Sequence, residues 1–515
     1  MLSMSSALDR CHRCYGRKPA IVDYEGGWCW DEHLDRVARA ASLLQSLGVK
    51  RGERFGILSR NTFRHCELLH AGYWAGMVPV PVNVRLAPPE IAYILKDAEV
   101  KVLVLDEPFL ALADHADIAP FAKHAFAIAP KPLGGRLPDY ETLIKDCRPA
   151  GLVESAEEDD AIVLYTGGTT GRSKGVRLTH RNVVSNGMQC AAQMGFRHDD
   201  IYLHIAPMFH SADLLATGFT LLGGAHAFLP QFTPANLLRA VQDLKASWSM
   251  MGPTMIVMIL REQKPADFDL RSLRAFLYGS APMAPEWIRK MIDAFPGVAI
   301  AQGYGLTETS PILTYLDFAE HQKAIDSGDP ARLTAAGRPI VGIDMRICDH
   351  EGGEVPLGQP GEVVVRGPNV TAGYLNLPKE TAEAIRDGWF HTGDIGRMDE
   401  DGFMYLMDRK KDMVVTGGEN VYSVEVEQAI YQHPDVVECA VVGIHDEQYG
   451  EALFAAIVTQ PGKTLTREQV IEHCRTRIGG YKIPRQMAFV AQLPKSAMGK
   501  ILKNEIRRIY GKPRA

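Results

Sequence analysis

The sequence predicts an α/β fold divided among more than one domain, and three observations carry that expectation. At 515 residues the chain is too long for a single hydrophobic core. Short apolar runs alternate with stretches of helical periodicity over most of its length. Past residue 337 the texture changes to short β segments between Gly, Pro and Asp turns, and past 420 to a compact mixture of strands and helices.

Along the chain, residues 31–47 place apolar side chains at helical spacing and stop at Gly48. Segments 54–58, 78–82 and 100–105 read as strands, with helices at 63–75 and 88–98 between them. Pro79 and Pro81 remove two backbone donors, so that segment belongs at a strand end or a sheet edge. Residues 107–155 are rich in Ala, Pro and Gly and carry no recognisable chemistry. A buried strand at 160–165 runs into a glycine-rich loop, and Thr179 is placed to N-cap a helix toward Met194. The strand starting at Ile201 breaks at Pro207, and two more strands end in glycine-rich stretches near 279 and 303. Segments 344–348, 361–366 and 402–406 suggest a small barrel or distorted sheet. Residues 408–420, charged, then apolar, then glycine-rich, read as a linker. Beyond it come helices at 424–433 and 466–477 and strands at 436–444, 452–458 and 485–490.

Apolar residues at 46% and charged residues at 23% are ordinary for a globular protein. A net charge of −6 and the lack of a long Lys/Arg block argue against a nucleic-acid partner. The nine cysteines have no framework spacing, and Cys11 and Cys14 form a lone Cys-x-x-Cys with no second pair, so unpaired thiols in a reducing cytosol are expected. No run of about 18 apolar residues and no basic-then-apolar start is present. The expectation is therefore cytoplasmic, with peripheral membrane contact left open and a monomer and a homodimer equally allowed.

The chemistry concentrates in Tyr165-Thr-Gly-Gly-Thr-Thr-Gly-Arg-Ser-Lys-Gly-Val176. Glycines, threonine hydroxyls and one ammonium in so short a loop can bring many N–H groups to an anion, as a phosphate requires. Walker spacing fails, because Lys174 is followed by Gly175 rather than Ser or Thr. With the stretches Phe276-Leu-Tyr-Gly-Ser-Ala-Pro282 and Ala299-Ile-Ala-Gln-Gly-Tyr-Gly-Leu-Thr-Glu308, three strand ends carry glycine beside hydroxyl or amide groups. Open parallel sheets bind ligands at such places. Asp394, ending Asp387-Gly-Trp-Phe-His-Thr-Gly-Asp394, suits a ribose diol, and Lys500 sits on a Gly-containing loop; alone, each would be unremarkable.

In this order the segments resemble the adenylate-forming superfamily of acyl-CoA synthetases, luciferases and adenylation domains, over nearly the whole chain. The loop departs from the usual Thr-Ser-Gly-Thr-Thr-Gly-x-Pro-Lys-Gly by Gly167 for serine and Ser173 for proline. Pro207 to His210, Tyr304 to Glu308, Thr392-Gly-Asp394 and Asp408-Arg409 match the family's other motifs, and Leu493 to Lys500 does so with Ser496 for threonine. The resemblance implies an N-terminal adenylation domain over 1–408, made of two α/β subdomains and a small β-barrel. A mobile α+β C-terminal domain would occupy 409–515. It implies that Thr166, Gly167, Gly168, Thr169, Thr170, Gly171 and Lys174 hold the ATP phosphates. Gly279, Ser280 and Ala281 would flank the adenine, with Gln302, Gly303 and Gly305 beside Tyr304, which stacks on it. Thr307 would touch the α-phosphate, Glu308 would hold Mg²⁺, Asp394 would hold the ribose, and Arg409 would contact ribose or phosphate. Met208, Phe209 and His210 would line the acyl site. Lys410 or Lys411 would be the hinge, Gly417, Gly418 and Glu419 would border a tunnel for coenzyme A, and Lys500 would bridge carboxylate and α-phosphate. The implied activity is ATP-dependent ligation of an apolar fatty or aryl acid to CoA through an acyl adenylate. An adenylation enzyme that loads a carrier protein or stops at acyl-AMP is the nearest alternative, followed by a non-catalytic nucleotide- or acyl-binding regulator and a phosphate-loop NTPase.

Overall fold

The computed structural model describes residues 2–129, 135, 137–166, 173–281, 283–416, 419–446, 449–495 and 501–511. Gly167, Gly168, Thr169, Thr170 and Gly171 of the loop, with Gly417, Gly418 and Lys500, lie outside the described residues.

Two parallel sheets form the α/β body. The larger has nine strands, in the order Arg338–Pro339, Thr314–Leu316, Ala299–Tyr304, Ala275–Gly279, Trp248–Met251, Ile201–His204, Ala225–Phe228, Pro19–Asp23 and Gly26–Cys29. The six strands from Ala299–Tyr304 to Pro19–Asp23 are parallel, and an antiparallel strand or pair closes each edge. The smaller sheet runs Val78–Pro81, Arg54–Leu58, Leu103–Asp106, Phe126–Ile128, all parallel. Val78–Pro81 takes an edge, as the missing N–H groups of Pro79 and Pro81 require. The helices Trp30–Ser46, Phe63–Ala75, Pro88–Asp97 and His180–Met194 match the predicted periodic segments within about a residue or two. Thr179 caps the last of these, its hydroxyl accepting from the Asn182 N–H.

One expectation is corrected here. The glycine-rich loop does not end a strand of an open parallel sheet. It joins Asp160–Thr166 to Lys174–Thr179 in an antiparallel hairpin, which Gly373–Tyr374 extends as a third strand. The second hairpin strand was hidden because Lys, Gly and Arg break its apolar alternation. Val176 and Leu178 are nonetheless buried opposite Leu164 and Ile162.

The segment read as a small barrel or distorted sheet is a five-stranded antiparallel sheet with a register irregularity at Ile395/Gly396. Residues 408–420 are not a linker in the sense expected. They contain the end of the strand Met404–Arg409 and the hairpin Val414–Thr416/Glu419–Val421, whose Val414 and Val421 are buried with Ile430 and Leu453 in a separate apolar cluster. That hairpin joins the long pair Val436–Asp446/Gly450–Thr459 and the strand Gln486–Phe489, so the last sheet has five strands rather than three. Helices Ser423–Tyr431, Arg467–Arg475 and Lys503–Tyr510 accompany it. All nine cysteines are free thiols. Among the described residues no helix is long and apolar enough to cross a membrane.

Candidate active site

Ala275–Gly279 and Ala299–Tyr304 are neighbouring parallel strands in register, Gly279 opposite Gly303 and Tyr278 opposite Gln302. A Cβ at Gly279 would overlap the Gly303 carbonyl, and one at Gly305 would overlap that of Pro311. Backbones therefore meet with no side chains between them, and Ser280 and Ala281 come next, both exposed, Ser280 at φ +68°. Gln302 accepts from the Tyr278 hydroxyl at 3.2 Å. Beyond Tyr304 the chain turns into the 3-10 segment Thr307–Thr309, where the Thr307 and Ser211 hydroxyls lie 2.9 Å apart.

Glu308 is fixed from two sides. Its backbone carbonyl accepts from the Thr371 N–H at 2.8 Å, and its Oε1 accepts from the Tyr374 hydroxyl at 2.9 Å. Tyr374 pairs with Val176 in the hairpin sheet, and the ammonium of Lys174 stands 5.0 Å from its ring centroid. Lys174 itself opens its strand opposite Thr166. One tyrosine thus touches both the cation of the glycine-rich loop and the carboxylate of the Thr-Glu motif. Burial, and then the charge of Glu308, push its phenol well above the usual tyrosine range, so it stays a donor.

A second cluster surrounds Asp394, which is only 1% exposed. Its Oδ2 accepts from the Tyr304 hydroxyl at 2.7 Å, and its Oδ1 pairs with Arg409 Nε at 2.8 Å. Burial and the adjoining carboxylate hold Tyr304 protonated. Lys410 donates its N–H to the Gly393 carbonyl at 2.9 Å and its ammonium to Glu362 at 3.2 Å. Burial would raise the Glu362 carboxyl, but its bonds to His391 and Lys410 outweigh this and lower it. Lys411 is exposed, and Asp412 pairs with Arg507 at 2.8 Å. Asp408 accepts from the Ser423 N–H. Within residues 408–412, Arg409 and Lys410 therefore bond back to the five-stranded sheet, while Asp408 and Asp412 bond forward to helices of the C-terminal unit.

Met208 and Phe209 are buried, and His210 caps the 3-10 segment Ser211–Leu215 by accepting from the Ala212 N–H at 3.2 Å. Met208, His210 and Leu214 line a cavity of about 40 Å³ with Ile162 and Leu164 of the hairpin. The turn is anchored by Asn61, whose amide donates to the His204 and Ala206 carbonyls at 2.9 Å and accepts from the Met208 N–H at 2.9 Å. Glu419 is exposed and begins the hairpin strand Glu419–Val421. Asn61, Ser211 and Tyr374 were missed because each acts through a partner about 65 to 150 residues away, which no local pattern reports.

The chain matches the AMP-binding enzyme family over residues 8–375 and the AMP-binding enzyme C-terminal domain over residues 425–500. It belongs to the AMP-binding enzyme family. Among its relatives, a feruloyl-CoA synthase of Amycolatopsis sp is 37% identical over 480 residues, covering 92% of each chain. A long-chain-fatty-acid–CoA ligase of Mycobacterium tuberculosis (strain CDC 1551 / Oshkosh) is 34% identical, covering 92% of this chain and 91% of its own. Among solved structures, an amide bond synthetase from Marinactinospora thermotolerans superposes with a TM-score of 0.88 at 28% identity, covering 98% of this chain and 100% of that one. Of the residues described above, Lys174, His210 and Glu308 fall inside the first AMP-binding match. Asp394, Arg409 and Lys410 fall between the two matches.

Asn61→Ala would take its amide away from the Ala206 carbonyl and the Met208 N–H, while the His204 carbonyl keeps the Leu229 N–H. We expect a loss of about 2 kcal/mol in urea unfolding.

Proposed function

We propose that this AMP-binding enzyme is an ATP-dependent carboxylic acid:CoA ligase, and that its substrate is an apolar fatty or aryl acid. The observation that carries the reading is Tyr374, which joins Lys174 and Glu308 at one end of a site whose other end is Tyr304, Asp394 and Arg409. A cation and an oxygen ligand for phosphate stand at one end, and a buried carboxylate suited to a diol at the other. The named CoA synthase and ligase among the relatives support a thiol acceptor and an aryl or fatty acid.

In the first step a carboxylate oxygen of the acid attacks the α-phosphorus of ATP and pyrophosphate leaves. No protein nucleophile is needed, so positioning and charge stabilisation supply the rate. Lys174 faces the outer phosphates, with Thr166 and the loop residues Gly167, Gly168, Thr169, Thr170 and Gly171, and Thr307 faces the α-phosphate. Mg²⁺, when bound, neutralises phosphate charge, and the half-buried Glu308 carboxylate, oriented by Tyr374, is a hard oxygen ligand that fits it. Gly279, Ser280, Ala281, Gln302, Gly303, Tyr304 and Gly305 form the adenine surface, and Asp394 and Arg409 take the ribose. Met208, Phe209 and His210 wall the acyl group. Lys500 supplies a cation to the carboxylate and α-phosphate, a role that rests on the Gly-Lys motif alone. In the second step the CoA thiol attacks the acyl carbonyl and AMP departs with one oxygen of the acid.

The domains divide near 408/409, and Lys410 or Lys411 is the hinge. Turning there exchanges the Lys410–Glu362 pair for others, with Lys411 exposed beside it, and leaves the Arg409–Asp394 pair in the five-stranded sheet. Rotation would withdraw Lys500 and bring Gly417, Gly418 and Glu419 to the thiol. The protein is assigned to the cytoplasm, where ATP and CoA are at hand.

A second reading is favoured by the amide bond synthetase likeness: the same activation with a different acceptor, such as an amine or a carrier thiol. A panel of aryl and fatty acids with ATP, Mg²⁺ and either CoA or a phosphopantetheinylated carrier separates the two. Acyl-CoA with equimolar AMP and pyrophosphate is expected; acyl-AMP that never becomes a CoA thioester would sink the ligase assignment.

Tyr374→Phe keeps the ring beneath Lys174 and removes the bond to Glu308. It is expected to lower kcat about tenfold, roughly 1.4 kcal/mol in the barrier, and to raise the Mg²⁺ concentration for half-maximal rate. Lys500→Ala is expected to abolish adenylate formation while sparing conversion of supplied acyl-AMP and CoA to thioester; equal loss of both half-reactions refutes that division of labour.

A further inference from the structure

Behind the cavity that Met208 and His210 line, the protein buries four histidines in two groups. In one group the hydrogen bonds close. His204 Nδ1 lies 2.9 Å from both oxygens of Asp213, His204 Nε2 lies 3.0 Å from His226 Nδ1, and His226 Nε2 lies 3.1 Å from the Thr220 hydroxyl. With one proton on each ring, His204 donates to Asp213, His226 to His204, and Thr220 to His226. Every ring nitrogen has a partner.

The other group does not close. His33 Nε2 and His70 Nδ1 lie 2.9 Å apart, and Cys66 Sγ lies 4.0 Å and 3.9 Å from His70 Nδ1 and Nε2. His33 is 0% exposed, and its Nδ1 has no hydrogen-bond partner. It is Nε2, the other ring nitrogen, that faces His70, so His33 would bind an ion through Nε2.

We infer that His33, Cys66 and His70 form a binding site for a zinc-class divalent cation that ties the helix Trp30–Ser46 to the helix Phe63–Ala75. Cys66 and His70 stand four residues apart on one face of a helix, a spacing that presents two ligands to one ion. His33 comes from the helix packed beside it. One ligand atom from each of the three residues falls within 4.8 Å of the other two. A tetrahedral zinc ion with ordinary bond lengths needs roughly 3.3 Å between nitrogens and roughly 3.6 Å between nitrogen and sulphur. With His70 binding through Nδ1, the 2.9 Å to His33 Nε2 and the 4.0 Å to Cys66 Sγ depart from these by a few tenths of an ångström, and the Cys66–His33 separation lies within 4.8 Å.

A thiolate with two imidazoles is a ligand set that zinc favours and magnesium does not. The adjoining 40 Å³ cavity, which Cys66, His70 and His226 help to line, has room for a water in the fourth position. Coordination releases the Cys66 thiol proton to solvent and leaves one net positive charge, which the buried Asp213 carboxylate opposes. None of the three residues belongs to the nucleotide site described above.

The test uses the full chain expressed with added zinc or cobalt. Elemental analysis is expected to find about one ion per chain, and the cobalt form to show sulphur-to-metal charge transfer in the near ultraviolet. X-ray absorption of the wild-type zinc form is expected to find one sulphur and two imidazole nitrogens. Cys66→Ser should lower bound metal at least about tenfold and remove the charge-transfer band, while Cys14→Ser, at the exposed thiol of the Cys-x-x-Cys, should change neither. A wild-type protein without stoichiometric metal, a sulphur-free shell, or a cobalt spectrum unchanged in Cys66→Ser overturns the assignment. Should Cys66→Ser fail to fold, the wild-type absorption spectrum decides alone.

Discussion

The buried carboxylate of Asp394 is the constraint on which the arrangement of the site depends. A carboxylate at 1% exposure is tolerable only with partners, because its desolvation is otherwise uncompensated. Its partners come from separate pieces of the fold: Tyr304 from the end of a central-sheet strand, Arg409 from the end of a strand in the five-stranded sheet. The Thr392 hydroxyl, which accepts from Asp394's own N–H at 3.0 Å, steadies the backbone. Satisfying this one charge brings the central sheet, the antiparallel sheet and the start of the segment 409–412 to a single point. Arg409 is about half exposed on its other side, so the pair is fixed at Asp394 and free to be approached by solvent or ligand at the guanidinium.

Tyr374 performs the matching task at the Lys174–Glu308 end. Its strand is two residues long, and it exists because the hairpin edge at Val176 and Arg177 offers it backbone partners. That pairing sets the ring beside Lys174 and the hydroxyl against Glu308, two groups 134 positions apart in the chain. A cation and an anion are thereby held against different parts of one aromatic side chain.

Much of this was legible in the sequence, for reasons that differ by element. The helices Trp30–Ser46 and His180–Met194 were readable because amphipathic periodicity in the first and an N-cap in the second act locally. The edge position of Val78–Pro81 followed from the two prolines. The strand Lys174–Thr179 was hidden because Lys174, Gly175 and Arg177 obscure its alternation, and with it went the difference between a hairpin tip and a strand-to-helix turn. The hairpin Val414–Thr416/Glu419–Val421 was hidden because charge and glycine mimic a linker, whereas two valines bury it. The motif residues Lys174, Glu308, Tyr304, Asp394 and Arg409 could be named from sequence, but the bonds that set them, from Tyr374 and within the Tyr304–Asp394–Arg409 cluster, arise only from tertiary contact.

The central claim is that the acid is activated by direct bonding of its carboxylate to the α-phosphorus of ATP. Following a carboxyl group labelled with oxygen-18 at both positions through one full turnover with ATP and CoA tests it most directly. The account predicts one labelled oxygen in the released AMP, one retained in the acyl-CoA, and none in pyrophosphate. Label in inorganic phosphate, with ADP as the nucleotide product, would contradict it.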